Sequence, residues 1–185
     1  DDNHYSTAYD MALIFREAIK NDKFREIIGT QSFVIEPTNM NTETRSFSSH
    51  HPLVVRSAPE YYEGCFGGKT GVTDSAKNTL VSGAERNGMT LIAVTMRAAE
   101  LGQLCQDQTN MFNYGFDNFT SKMAVDSSKP LEIKAEVDKG VKGKVKIIPE
   151  NDVFVFGEKS KKQNVTIDFK PDKIRAPIKS GEKAG

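Results

Sequence analysis

Lys69-Thr70-Gly71 places an ammonium, a hydroxyl and a residue without a side chain at consecutive positions. On an extended strand that trio suits a ligand ending in a carboxylate. The ammonium supplies a charge partner and the hydroxyl a directional hydrogen bond. The glycine lets a ligand lie against the strand and pair with its backbone. Phosphate chemistry is the obvious competitor, and it fails on spacing. A nucleotide-binding loop needs four residues between its glycines, whereas Gly64-Cys65-Phe66-Gly67-Gly68-Lys69-Thr70 has three, with Glu63 where the first glycine belongs. The helix that would aim its terminal amides at phosphate is also missing, because a Gly-Val-Thr-Asp loop follows the lysine.

The segments after Lys69 read as a frame for it. Asn78 to Ala84 has the pattern of a strand with small residues on one face, and Thr90 to Met96 is apolar enough for the centre of a sheet. Between them Asn87-Gly88 predicts a tight hairpin, since both central residues of a type I′ turn need positive φ. From Glu100 the spacing turns helical, with Leu101, Leu104, Cys105, Gln108, Met111 and Phe112 three and four apart, which predicts a helix over 101–118. Upstream, Thr7 and Asp10 have the spacing of a capping box, and the helix they start has Met11, Ile14, Phe15, Ala18 and Ile19 as its apolar face.

Together, His4-Tyr5-Ser6-Thr7-Ala8-Tyr9-Asp10-Met11-Ala12 and the Lys69-Thr70-Gly71 strand with its hairpin and helix resemble the serine-type D-alanyl-D-alanine carboxypeptidases, the low-molecular-mass penicillin-binding proteins. The likeness is specific from Asn3 to about Phe119 and weaker beyond. In the loop from Thr38 to Val55, Ser49-His50-His51-Pro52-Leu53 stands where that family more often has an Asn-rich turn before a leucine pair. The resemblance implies an α+β fold: part of a β-lactamase/transpeptidase-like antiparallel sheet with flanking helices, followed by a small all-β domain. It implies that Lys69 and Thr70 hold the substrate carboxylate as catalytic residues, that Lys69, Thr70, Gly71 and Val72 form the substrate-binding strand, and that the Val72 N–H is one oxyanion donor. Many relatives have a polar or aromatic residue in place of Val72, a difference that leaves a backbone donor untouched. The implied reaction removes the terminal D-alanine of peptidoglycan stem peptides through a serine acyl-enzyme, outside the cytoplasm, at the envelope or after secretion.

The family motif set of Ser-x-x-Lys, Ser-x-Asn and Lys-Thr-Gly is incomplete here. Ser-x-x-Lys occurs at Ser180-Gly181-Glu182-Lys183, in a Gly-flanked stretch after Pro177, where no helix start can set the lysine one turn from the serine. The expectation is therefore the C-terminal part of a longer enzyme, inactive alone, and the resemblance implies that nucleophile, base and two further strands lie upstream of Asp1. Such a fragment would leave the 90–96 strand edge open to self-association.

Charge divides the chain. Residues 1–120 carry 10 basic and 15 acidic side chains, a net of −5, and residues 121–185 reverse this to +5. Ser121 to Pro130 at the change reads as a linker, giving a catalytic-domain part at 1–120 and a β-sandwich-like domain at 121–185. In the second, strands are predicted at Leu131–Val137, Val141–Ile148, Val153–Phe156 and Val165–Phe169, with a turn at Asp138-Lys139-Gly140. Its lysines read as a solvated surface, and without a stacking platform or binding motif they give no case for nucleic acid. Cys65 and Cys105 read as buried small side chains rather than a bridge, and three histidines without ligand spacing point to no metal or other cofactor. Membrane association is expected only through segments outside these residues. Peptidoglycan stem peptides and β-lactams are the implied ligands. The alternatives are a β-lactamase-like hydrolase fragment, disfavoured by the extra β-domain, and a non-catalytic cell-wall-binding module.

Overall fold

The computed structural model describes residues 4–170 and 172–183. The chain divides into two compact units between Asn118 and Phe119.

In the first unit, Thr7 caps helix α1 (Ala8–Ala18): its hydroxyl oxygen accepts the Asp10 N–H at 3.1 Å and donates to the Asp10 carboxylate at 2.8 Å. Phe15 and Ile19, one turn apart, carry the contact with the sheet. Ile14 belongs to the expected apolar face but is exposed, because it lies about 100° round the helix from Phe15. Helix α2 (Asp22–Gly29), capped by the Asn21 side chain on the Phe24 N–H, follows at once. Arg25 of α2 lies 4.0 Å above the Phe66 ring and pairs with Glu85 at 2.9 Å. The ion pair is partly exposed and worth little; the guanidinium on the ring gives the contact its orientation.

Strands β1 (Ser32–Ile35) and β2 (Arg45–Ser48) form an antiparallel hairpin with Phe33 opposite Phe47. Sequence reasoning puts β2 inside the Thr38–Val55 loop and assigns β1 to no element, and the reason is visible in their burial. Neither four-residue strand has a buried position, so no alternation marks it. A 3₁₀ turn at Pro52–Val54 buries Leu53 and Val54 and leads to β3 (Cys65–Thr73).

β3, β4 (Lys77–Arg86) and β5 (Met89–Ala98) form an antiparallel sheet in that order, with β4 in the middle. The β4–β5 hairpin turns at Asn87 and Gly88, both at positive φ (53° and 73°), as a type I′ turn requires. On one face Val81 packs with Phe15 and Ile19. Against the sheet lies α3 (Leu101–Asn118), which buries Leu104, Cys105, Gln108, Phe112 and Phe116, while Leu101 and Met111 of the expected seam are exposed. The ladder between β4 and β5 is irregular at Asn78/Leu80. There the fully buried Gln108 amide donates to the Leu80 carbonyl (2.8 Å), the Ala93 carbonyl (3.3 Å) and the Thr95 hydroxyl (2.9 Å).

The second unit is built from β6 (Phe119–Val125), β7 (Lys134–Asp138), β8 (Lys144–Lys146), β9 (Val153–Glu158) and β10 (Ile174–Arg175). β6 pairs antiparallel with β9, and β7 lies between β10 and β8. This corrects the linker expected at Ser121–Pro130. Residues 121–125 are strand, and a turn follows in which Asp126 accepts from Ser128 and Lys129, and Asp152 from Ser127. The serines that suggest a linker are the donors that hold the turn. Lys129, then Ser128, keep the Asp126 carboxyl down at about 2. The strand expected at Val165–Phe169 is absent: the segment alternates in sequence, but no neighbouring strand supplies a ladder, and Val165 and Ile167 stay exposed.

Candidate functional site

Lys69, Thr70, Gly71 and Val72 all lie on β3, opposite Val81, Leu80, Thr79 and Asn78 of β4. β3 is an edge strand, so one side of its backbone has no strand partner among the described residues. Lys69 and Val72 are exposed and Thr70 is half-buried. Lys69 shares a face with its cross-strand partner Val81, the face packed by α1. Its Nζ donates to the Thr70 carbonyl at 2.5 Å. Gly71 has a neighbour of its own to accommodate, since a Cβ there would lie 2.7 Å from the Thr79 hydroxyl oxygen. That hydroxyl donates to the Gly71 carbonyl at 3.2 Å. The glycine serves the sheet as well as any ligand.

A cleft of about 630 Å³ opens beside this strand. Gly68, Lys69 and Thr70 form one side, with Ile27 and Ile28 of α2, the Phe33/Phe47 pair and His51 among the other walls. His51 is the residue that sequence reasoning passes over. It is buried, 3% exposed, and its Nε2 shares a 2.8 Å hydrogen bond with the Ser82 hydroxyl, while Nδ1 has no partner in hydrogen-bond geometry among the described residues. Burial lowers the imidazole from 6.5 to about 4; its own backbone carbonyl offsets this only in part, and the Lys69 ammonium adds to it. The imidazole is therefore neutral at neutral pH. Gly68, opposite Ser82, leaves the ring its space: a Cβ on Gly68 would stand 2.4 Å from His51 Nε2 and 2.2 Å from the Val81 carbonyl oxygen.

The D-alanyl-D-alanine carboxypeptidase family model matches residues 1–100, more than half of the chain. The chain belongs to this family. A second model, for the C-terminal domain of penicillin-binding protein 5, matches residues 119–185. Among curated carboxypeptidases, the chain is 26% identical to DacF of Bacillus subtilis over all of its own length and 46% of that protein's. With DacB2 of Mycobacterium tuberculosis it shares 33% over 60% of itself and 36% of that protein. The chain thus spans about half or less of the curated relatives it matches.

Among solved structures, penicillin-binding protein 5 of Haemophilus influenzae aligns with 98% of the chain and 51% of its own, at 25% identity and a TM-score of 0.66. PBP3 of Streptococcus pneumoniae, described as a peptidoglycan synthesis regulatory factor, aligns at a TM-score of 0.76 and 24% identity over 97% of this chain and 49% of its own, a likeness of fold. The α+β arrangement of sheet, flanking helices and separate small sheet domain is that of these carboxypeptidase and penicillin-binding folds.

In this carboxypeptidase-family chain the Ser-x-x-Lys copy does not lie on a helix. Ser180 and Gly181 lie in a turn, and Lys183 is 3.6 Å from Glu150. Both cysteines are free thiols, Cys105 buried and Cys65 half-buried, and burial pushes each up to about 11, so neither is a thiolate at neutral pH. No cluster of three metal-ligating side chains occurs among the described residues, and none of their helices is long and apolar enough to cross a membrane.

Proposed function

We propose that this chain carries the substrate-carboxylate wall of a D-alanyl-D-alanine carboxypeptidase that trims peptidoglycan stem peptides outside the cytoplasm. One observation carries the reading: the exposed Lys69 and half-buried Thr70 stand on the open edge of β3. A peptide ending in D-Ala-D-Ala can add to that edge as a further strand, with its carboxylate on the Lys69 ammonium and Thr70 hydroxyl. Gly71 leaves the backbone accessible, and the Val72 N–H is one oxyanion donor. β-Lactams, which present a carboxylate beside a reactive amide, occupy the same wall.

In the family reaction a serine oxygen attacks the carbonyl of the penultimate D-alanine. The amide C–N bond breaks, D-alanine leaves with the proton delivered to its nitrogen, and water hydrolyses the ester. The part assigned to this chain is to hold the carboxylate and stabilise the oxyanion, and the nucleophile and base are not among the residues assigned here. The match of residues 119–185 to a penicillin-binding protein domain favours a carboxypeptidase over a β-lactamase.

Binding tests the reading directly. An N-acylated peptide ending in a D-Ala-D-Ala carboxylate should shift the Lys69–Val72 amide signals of the 185-residue chain in a nitrogen-proton NMR titration. Lys69→Ala should weaken that binding by about tenfold or more, the loss of a charge-assisted bond. Equal binding by the Lys69→Ala chain would remove Lys69 from the site.

A further inference from the structure

The Ser82 hydroxyl, the Gly68 backbone and the His51 ring meet at one point under β3. Gly68 and Ser82 are cross-strand partners and face the same side of the sheet. His51 occupies that side, 2.8 Å from the Ser82 oxygen and within the space a Gly68 side chain would take. Its neighbours in sequence hold it there. The His51 N–H donates to the Ser49 hydroxyl at 3.2 Å, and the Val54 N–H donates to the His51 carbonyl at 3.2 Å as the Pro52–Val54 turn begins. The next residue along β3 is Lys69, which by strand alternation projects to the opposite face. A movement of the backbone at Gly68 therefore moves the root of the Lys69 side chain and the plane of the Thr70 peptide that now receives its ammonium.

We propose that His51 is a positioning residue: hydrogen-bonded to Ser82 and seated against the bare Gly68 backbone, its imidazole sets the position of the β3 backbone beside β4 at Gly68 and thereby the placement of Lys69 and Thr70. It touches no substrate atom in this role. The inference rests on the proposed carboxylate site for its functional meaning, and on the Ser82–Gly68 geometry alone for its structural content. The requirement on the ring is specific. It must be flat enough to lie against a glycine backbone and must carry one polar atom at the distance of Ser82. Leucine has comparable bulk and no such atom, whereas glutamine places an amide nitrogen near the position of Nε2.

The test uses the full 185-residue chain in three forms: unchanged, His51→Gln and His51→Leu. Two readouts are taken by nitrogen-proton NMR: the Gly68, Lys69 and Thr70 amide positions without ligand, and the affinity for the N-acylated D-Ala-D-Ala peptide. In the glutamine variant the amide positions and affinity should lie close to those of the unchanged chain. In the leucine variant they should move and the affinity fall by about tenfold, the loss expected for one hydrogen bond that orients a binding group. The β5 and α3 amides should keep their positions. Rescue by glutamine but not leucine separates an oriented hydrogen bond from mere filling of space.

Lys69 and Thr70 signals and affinity unchanged in His51→Leu would overturn the proposal. Should leucine unfold the first unit, Ser82→Ala decides instead, because it removes the partner and leaves the ring: unmoved Lys69 and Thr70 amides would then sink the idea. Should the peptide fail to bind the unchanged chain, the carboxylate reading fails by itself, and the ligand-free amide positions still decide the role of His51.

Discussion

The buried imidazole makes stability of the first unit depend on pH in a defined window. With a native value of about 4 against 6.5 for a solvated histidine, His51 is neutral in both states above pH 6.5 and costs nothing there. As the pH falls from 6.5 toward 4 the unfolded chain takes up a proton that the folded chain refuses. Stability falls with pH through that window and levels off below it. At ~1.4 kcal/mol per tenfold change, the loss from this group between pH 7 and pH 4.5 is about 2.5 kcal/mol. Urea unfolding followed by far-ultraviolet circular dichroism at those two pH values measures it as a difference between the unchanged chain and His51→Gln. Lys23, Glu26, His50 and Lys69, the charged and titratable groups around the same cleft, are present in both proteins and largely cancel. The unchanged chain should lose about 2.5 kcal/mol more than the glutamine variant, and an imidazole carbon-proton titration should show a midpoint near 4. Parallel losses in the two proteins, or a midpoint near 6.5, would refute the claim that this ring is desolvated beneath β3.

Two further substitutions test the frame around the site. Gly68→Ala would press a methyl against the Val81 carbonyl oxygen, a backbone atom that cannot swing aside. Thermal unfolding should register a loss of about 1–3 kcal/mol, with the largest amide shifts along β3 and β4. Gln108→Leu removes three hydrogen bonds from one fully buried amide at the irregular point of the β4–β5 ladder. Chemical denaturation should show a destabilisation of about 1–3 kcal/mol, and faster amide exchange confined to the neighbourhood of Leu80 and Thr95 would locate it. An unchanged midpoint in the second case would mean that water serves those carbonyls as well as the amide does.

How far the sequence discloses this structure depends on where the determining contacts lie. The β4–β5 hairpin is legible because Asn87 and Gly88 carry a local demand for positive φ. The first cap is legible because Thr7 and Asp10 satisfy each other within one turn. Lys69, Thr70 and Gly71 can be singled out because three adjacent residue types converge on one ligand chemistry. His51 is different. Its role rests on a hydroxyl 31 residues away and on the bare backbone of Gly68, and nothing local in Ser49-His50-His51-Pro52 marks the second histidine over the first. The usable signal is its departure from the Asn-rich turn expected there, read together with a glycine preceding the lysine. The β1–β2 hairpin and the Val165–Phe169 segment fail in opposite directions for one reason. Strand pairing belongs to two segments, and the alternation of either one alone does not report it.

The ammonium of Lys69 already holds the carbonyl of Thr70. On the proposed reading, a ligand must outbid that internal acceptor before it gains anything from the lysine. A free carboxylate does so, since it adds the attraction of a full negative charge to the hydrogen bond, where the carbonyl offers only a dipole. A peptide ending in an amide, or an internal stretch of chain, offers only another neutral oxygen and leaves the lysine where it rests. On that reading the resting contact would act as a threshold on ligand charge, selecting chain ends over chain middles before any chemistry begins.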